Sequence, residues 1–148
     1  MRKLRLILGF CGFLLLIPAA LTQSRGPVSL ERRLYELVTT TSMPHLEENL
    51  RYTTTREERC LDEADLPSAF AVLSHASLKG CTLADQTRQD DTVSYVLACT
   101  GGNGTKGSAT WRIGEHQISG TLNVKLGGKN LTFYQRVTGK PLGPCATS

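Results

Sequence analysis

The stretch that decides the fold is Val93-Ser94-Tyr95-Val96-Leu97-Ala98-Cys99, in which the larger side chains occupy the odd-numbered positions. The stretch Ser108-Ala109-Thr110-Trp111-Arg112-Ile113 repeats this alternation, with apolar side chains at odd positions and polar side chains between them. Period-two alternation is typical of strands that bury one face and expose the other. These stretches therefore predict half-buried antiparallel strands.

The alternation continues toward the C-terminus. Leu122, Val124 and Leu126 alternate with polar residues, and Gly127-Gly128-Lys129-Asn130 provides a turn, so the final stretch predicts a hairpin. The predicted inward face collects Leu83, Tyr95, Leu97, Trp111, Ile113, Leu122, Val124, Leu126, Leu131 and Phe133. Such side chains can fill a small barrel or curved sheet, so we expect a packed core without a ligand cavity. Binding would then use the loop from Gly101 to Gly107 and the polar face of Thr110, Arg112, Asn123 and Lys125.

The N-terminal half shows weaker patterns. The ranges 34–41 and 51–60 are rich in threonine, tyrosine and valine, which favours strands, but their two faces are poorly segregated. We expect edge strands there. Asp62 can cap a short helix within 61–74. The fold class predicted is mainly β: an antiparallel meander, or a strongly curved sheet or partial barrel, of about seven strands with one short helix and two disulfides.

The first 24 residues have the layout of a secretory signal. Arg2, Lys3 and Arg5 precede an apolar run whose uninterrupted part is Leu6 to Ile17. This run is shorter than the about 20 residues that a membrane-spanning helix needs. We therefore expect cleavage, no transmembrane anchor in the mature form, and a single periplasmic or secreted domain over residues 25–148.

Most of the net positive charge of the chain lies in this predicted signal. The formal net charge is +4, and because three cations lie in residues 1–24, which contain no acid, the predicted mature chain carries +1. A net charge this small argues against nucleic acid or an anionic membrane as the partner.

Four cysteines follow the predicted signal, and an even number in an exported chain predicts two disulfides. Cys81 and Cys99 lie on one face of two strands joined by a turn near Asp90-Asp91, where paired positions come close enough for a disulfide. Cys81–Cys99 follows, which leaves Cys60–Cys145. A zinc site is the rival, but the spacings are wide and no paired histidines are present.

No motif predicts catalysis, a cofactor or a metal. Gly102-Asn103-Gly104-Thr105-Lys106-Gly107 matches the dinucleotide fingerprint, but a strand pattern follows where a phosphate-binding helix is required, so we expect no nucleotide. His45, His75 and His116 lie far apart in predicted loops. The acidic pairs Glu47-Glu48, Glu57-Glu58 and Asp90-Asp91 are adjacent in sequence, so their side chains diverge and are expected to be solvated.

The order of several short motifs resembles a known bacterial exported family. Leu34-Tyr35-Glu36-Leu37-Val38-Thr39-Thr40, Cys99-Thr100-Gly101-Gly102, Ile118-Ser119-Gly120-Thr121 and Gly139-Lys140-Pro141-Leu142-Gly143-Pro144-Cys145 resemble the family catalogued as domain of unknown function 3617. The resemblance implies a Gram-negative envelope setting, with the periplasm as the location. The sequons at Asn103 and Asn130 then have no role. It implies no activity.

Three functions follow as hypotheses. The first is an uncharacterised exported protein that acts as a non-enzymatic binding or interaction module of the cell envelope, with an unknown protein or envelope partner. The second is a carrier of a small apolar ligand, built as a β-barrel. The third is an enzyme whose site assembles from distant loop residues.

Overall fold

The computed structural model describes residues 29–45, 52–101, 104–128 and 131–146. The predicted signal, residues 1–24, lies outside them. Seven strands form one antiparallel sheet. They are β1 (Arg33–Ser42), β2 (Tyr52–Leu61), β3 (Cys81–Gln89), β4 (Thr92–Cys99), β5 (Lys106–Ile113), β6 (Ile118–Lys125) and β7 (Thr132–Gly143). The order across the sheet is β2-β1-β7-β6-β5-β4-β3, so the sheet is open and the predicted antiparallel fold class is confirmed. No helix in these ranges is long and apolar enough to cross a membrane.

The alternation in the sequence corresponds to the two faces of this sheet. Seven of the ten predicted inward side chains are buried, and Leu83, Leu126 and Leu131 are half-buried. The predicted outward residues Thr110, Arg112, Asn123 and Lys125 are all exposed. We call the face that carries Trp111 the inner face and the opposite face the outer face.

Three short 3₁₀ helices, Glu63–Ala69, Ala71–Ser74 and Ala76–Leu78, connect β2 to β3. The sequence predicted one short helix here, so the position is right and the single helix is wrong. Asp62 accepts hydrogen bonds from the backbone of Ala64 and Asp65, and Asp65 accepts one from the backbone of Asp62, which is a capping box. Pro67 lies inside the first helix and has no N–H to donate, which favours short turns over a continuous helix.

This 3₁₀ segment packs on the inner face. Leu66, Phe70, Val72 and Leu78 are buried with the inward side chains of the sheet in one cluster. The rings of Phe70 and Trp111 have centroids 5.1 Å apart and are tilted by 48°. The core therefore lies between the sheet and the 3₁₀ segment.

Gln135 is a polar residue inside this core that the sequence pattern did not predict. Its side chain is 3% exposed on the inner face of β7. The Oε1 atom accepts from the backbone N–H of Val72 at 3.2 Å, and Nε2 donates to Thr41 Oγ1 at 2.8 Å. Gln135 thus joins the 3₁₀ segment to β1 and β7 through paired polar groups.

Glycines on the inner face make room for large neighbours. Gly120 on β6 lies opposite Trp111 on β5, and a Cβ at Gly120 would lie 2.6 Å from Trp111 Cε2. Gly139 on β7 lies opposite Ile118, and a Cβ there would lie 2.6 Å from Ile118 Cγ1. Both glycines belong to motifs that carry the family resemblance, so part of that pattern has a packing origin.

The edges of the sheet differ from the prediction at one position. β2 is an edge strand, but β1 lies between β2 and β7, so the prediction of an edge strand at 34–41 is wrong. The pairing of β1 with β7 joins residues about one hundred positions apart, which local sequence cannot show. β3, at the other edge, has an irregularity between Ala84 and Thr87 that interrupts its pairing, as protected edges do.

Two cysteine pairs lie at disulfide distance. Cys81 and Cys99 are directly opposite each other on β3 and β4, with Cα atoms 4.0 Å apart. Cys60, near the end of β2, pairs with Cys145 beyond β7 across a Cα distance of 5.8 Å. Because β1 lies between β2 and β7, the second pair links the two neighbours of β1 at one end of the sheet.

Candidate binding surface on the outer face

The candidate chemical groups in the sequence do not come together as a site. His45, His75 and His116 are exposed, and His75 Nδ1 accepts from the backbone of Ser77 at 3.2 Å. In the described ranges no three His, Cys, Asp or Glu side chains form a group that could hold a metal. Lys106–Ile113 is a strand, so the glycine-rich stretch before it leads into a strand and not into a helix, as predicted.

Cations cluster on the outer face of the three central strands. The exposed outward positions of β5, β6 and β7 carry five of them: Lys106, Arg112, Lys125, Arg136 and Lys140. No Asp or Glu occupies an outward position on these strands. Arg112 lies 3.9 Å from Asp91, and within the described part of the chain the other four have no ion-pair partner. The outward side of β5, β6 and β7 is therefore positive, although Glu36 on β1 lies opposite Lys140 of β7 in the register.

Two of these cations face each other directly. Lys106 on β5 and Lys125 on β6 are partners in the antiparallel register, and both are exposed. Like charges at directly opposed positions destabilise a strand pair. The arrangement therefore has a cost in the free protein that an anionic ligand would relieve.

Two exposed tyrosines lie beside this cluster. Tyr52 on β2 is 58% exposed and Tyr134 on β7 is 45% exposed. Ser42 on β1 is the register partner of both, so the two tyrosines lie in one row across three strands. Two strand spacings separate them, which is about 10 Å.

Two shallow depressions follow this row. One, of about 510 Å³, includes Ser42, Tyr52 and Arg136 in its lining, and the other, of about 340 Å³, includes Lys106 and Lys125. Asn123 and Tyr134 line both, so the depressions are contiguous. We call this strip the tyrosine track; it is the row Tyr52, Ser42, Tyr134, Asn123 and Ser108, flanked by Arg136 on one side and by Lys106 and Lys125 on the other.

Part of this surface was predictable from the sequence. Asn123 and Lys125 were predicted to face outward and lie in the track, and Thr110 and Arg112 lie nearby on the same face. Tyr134 and Arg136 were not predicted as part of this surface, although their alternation with the inward residues Phe133 and Val137 indicates that they face outward. Tyr52 could not be placed, because its position depends on the register of β2 with β1.

A second polar cluster lies where the 3₁₀ segment meets β3. Glu63 accepts hydrogen bonds from Arg88 and from Gln86 Nε2. Burial raises the pKa of the nearby Tyr95 phenol, and the negative charge of Glu63 adds to this effect. Tyr95 Oη and Trp111 Nε1 are buried without a hydrogen-bond partner among the described residues. Since Arg88 pairs with the carboxylate, this cluster holds the 3₁₀ segment to the sheet.

Comparison with family models gives a match over residues 31–145 to the family described as protein of unknown function, DUF3617. The matched range begins before β1 and ends at Cys145, so it includes all seven strands. It confirms the resemblance in the sequence motifs. No curated protein and no solved structure matches the chain.

Proposed function

We propose that this chain, which belongs to the DUF3617 family, is a non-enzymatic binding module of the bacterial cell envelope and binds its partner through the outer face of the sheet. The observation that carries the proposal is the tyrosine track, in which exposed aromatic rings share one strip of the surface with cations that have no ion-pair partner among the described residues. Exposed aromatic residues and arginine are enriched where proteins bind their partners.

An envelope location is part of the proposal. The basic start and short apolar run of residues 2–17 support export. Two cysteine pairs at disulfide distance support an oxidising compartment such as the periplasm. The outer face would then meet the anionic polymers and surfaces of that compartment.

The packing of the inner face favours a surface binder over an apolar-ligand carrier. A carrier needs free volume on its apolar face, where Phe70 packs against Trp111 and four other buried side chains of the 3₁₀ segment lie in the same cluster. The depression of about 390 Å³ beside Tyr35 and Ile113 is lined half by polar or charged residues, which does not suit an apolar ligand. The outer face, by contrast, is open to solvent.

Co-sedimentation with envelope fragments of a Gram-negative bacterium tests the proposal. We expect the exported protein to sediment with the fragments and the double variant Tyr52→Ala/Tyr134→Ala to lose most of this binding. Leu142→Ala is the matched control, because Leu142 is 48% exposed at the other end of β7. Equal binding by the double variant, the control and the unmodified protein would refute the proposal.

A further inference from the structure

We infer that the tyrosine track binds an extended acidic polysaccharide, with its pyranose rings on the tyrosines and its carboxylates on the flanking cations. This inference rests on the proposed function, because it names the chemistry of the partner at the same surface. Four features of the track carry it: its length, the spacing of its rings, the polar groups between them and its charge.

The length of the track fits a chain better than a compact ligand. The two depressions share Asn123 and Tyr134 and together extend from Tyr52 on the edge strand to Lys106 on β5. Five adjacent strands, β2-β1-β7-β6-β5, contribute side chains to it. A ligand that fills the whole track must therefore be elongated and must cross the strands.

The spacing of the tyrosines fits a chain of sugar rings. The face of an aromatic ring is negative, and it attracts the weakly positive C–H groups on one face of a pyranose. In a β-1,4-linked chain alternate sugars present the same face, and their separation is close to the two strand spacings, about 10 Å, between the tyrosines. The two rings can therefore stack on alternate sugars of one chain.

Uncharged polar groups occupy the positions between and beside the rings. The Ser42 hydroxyl lies between the two tyrosines, and the Asn123 amide and Ser108 hydroxyl continue the row beyond Tyr134. Hydroxyl and amide groups both donate and accept hydrogen bonds, as sugar hydroxyls require.

The charge of the track selects an acidic chain. Arg136 lies two residues after Tyr134 on the same face of β7, and Lys106 and Lys125 lie on the other side of the row. Carboxylates on successive sugars would pair with these cations and relieve the repulsion between the two lysines.

A matched pair of ligands tests the inference by calorimetry. We use a β-1,4-linked glucuronic acid hexasaccharide and cellohexaose, which has the same backbone without carboxylates. The exported protein should bind the acidic chain at least about tenfold more tightly at about 0.05 M salt, and the difference should shrink at about 0.5 M salt, where charges are screened.

Variants separate stacking from charge. Tyr134→Ala should weaken binding of both hexasaccharides, whereas Arg136→Gln should weaken binding of the acidic chain alone. Lys79→Ala is the charge-matched control, because Lys79 is exposed at the end of the 3₁₀ segment, away from the track. Unchanged emission from Trp111, the only tryptophan, shows that each variant is folded.

Other polyanions distinguish this inference from its rivals. Single-stranded oligothymidylate or phosphatidylglycerol vesicles that bind more tightly than the acidic hexasaccharide would overturn it, and so would equal affinity of Tyr134→Ala and the unmodified protein for that chain. If the hexasaccharides fail while envelope binding still depends on Tyr52 and Tyr134, the polysaccharide is refuted and the binding module stands. If envelope binding does not depend on these tyrosines, the module itself fails.

Discussion

Gly120 provides a sharp test of how the inner face is packed. A Cβ at this position would lie 2.6 to 2.7 Å from three atoms of the Trp111 ring, well inside van der Waals contact. Trp111 is fully buried and packs against Phe70, so its ring has little room to move away. Gly120→Ala must therefore displace the tryptophan, the 3₁₀ segment or the strand itself.

The expected loss of stability has two opposing parts. Forcing an extra methyl group into a packed core costs about 1–3 kcal/mol. Alanine is favoured over glycine within a strand by about 0.5–1 kcal/mol, because glycine loses more backbone freedom on folding. Taking the middle of each range, we expect Gly120→Ala to lower the free energy of unfolding by about 1 kcal/mol, with a fall in the melting temperature of several degrees.

Urea denaturation followed by tryptophan emission measures this loss, because Trp111 is the only tryptophan and lies at the contact. Ser119→Ala, one residue earlier on the outward side of β6, is the control and should change the free energy of unfolding by less than about 0.5 kcal/mol. If Gly120→Ala is as stable as this control and its tryptophan emission is unchanged, the packing of Gly120 beneath Trp111 is wrong.

Three further predictions concern stability. Gln135→Ala leaves the Val72 N–H without its partner and should lower the free energy of unfolding, measured by urea denaturation, by about 1–3 kcal/mol. Thr138→Ala, further along β7, should lower it by less. Equal losses in the two variants would contradict the bridging role of Gln135. Removing Cys60–Cys145 should lower the free energy of unfolding by about 1–2 kcal/mol more than removing Cys81–Cys99, because a bridge that closes a longer loop restricts the unfolded chain more. The separations are 85 and 18 residues. Equal losses for the two double Cys→Ala variants would contradict this dependence on loop length. Burial raises the pKa of Tyr95, so the stability that its neutral phenol contributes is present below pH about 10 and is lost as the pH rises through its folded-state pKa. Tyr95→Phe should therefore keep more of its stability in an alkaline titration than the unmodified protein does. Parallel loss of stability in both proteins would contradict this prediction.

The sequence could predict the features that depend on neighbouring residues. The alternation around Trp111 indicates which face of β5 is buried, and the cap at Asp62 indicates where the helical segment begins. The pairing of Cys81 with Cys99 was predictable as well, because their two strands are joined by a short turn.

The features that depend on distant residues could not be predicted. The position of β1 inside the sheet follows from its pairing with β7. The burial of Gln135 depends on the Val72 N–H of the 3₁₀ segment, which donates a hydrogen bond to its side chain. The tyrosine track has the same origin, because Tyr52 and Tyr134 come into one row only when β1 pairs with both of their strands. The outward positions could be predicted for each strand separately, but the way in which they come together across five strands could not.

Lysine footprinting tests most directly whether the outer face is the binding surface. The purified protein is acetylated briefly with and without Gram-negative envelope fragments, and mass spectrometry measures the rate at each lysine. We predict that Lys106 and Lys125 are protected by the fragments, while Lys79, which is also exposed but lies away from the track, reacts at an unchanged rate. Unchanged rates at Lys106 and Lys125 in the presence of bound fragments, or protection of Lys79 alone, would contradict the account.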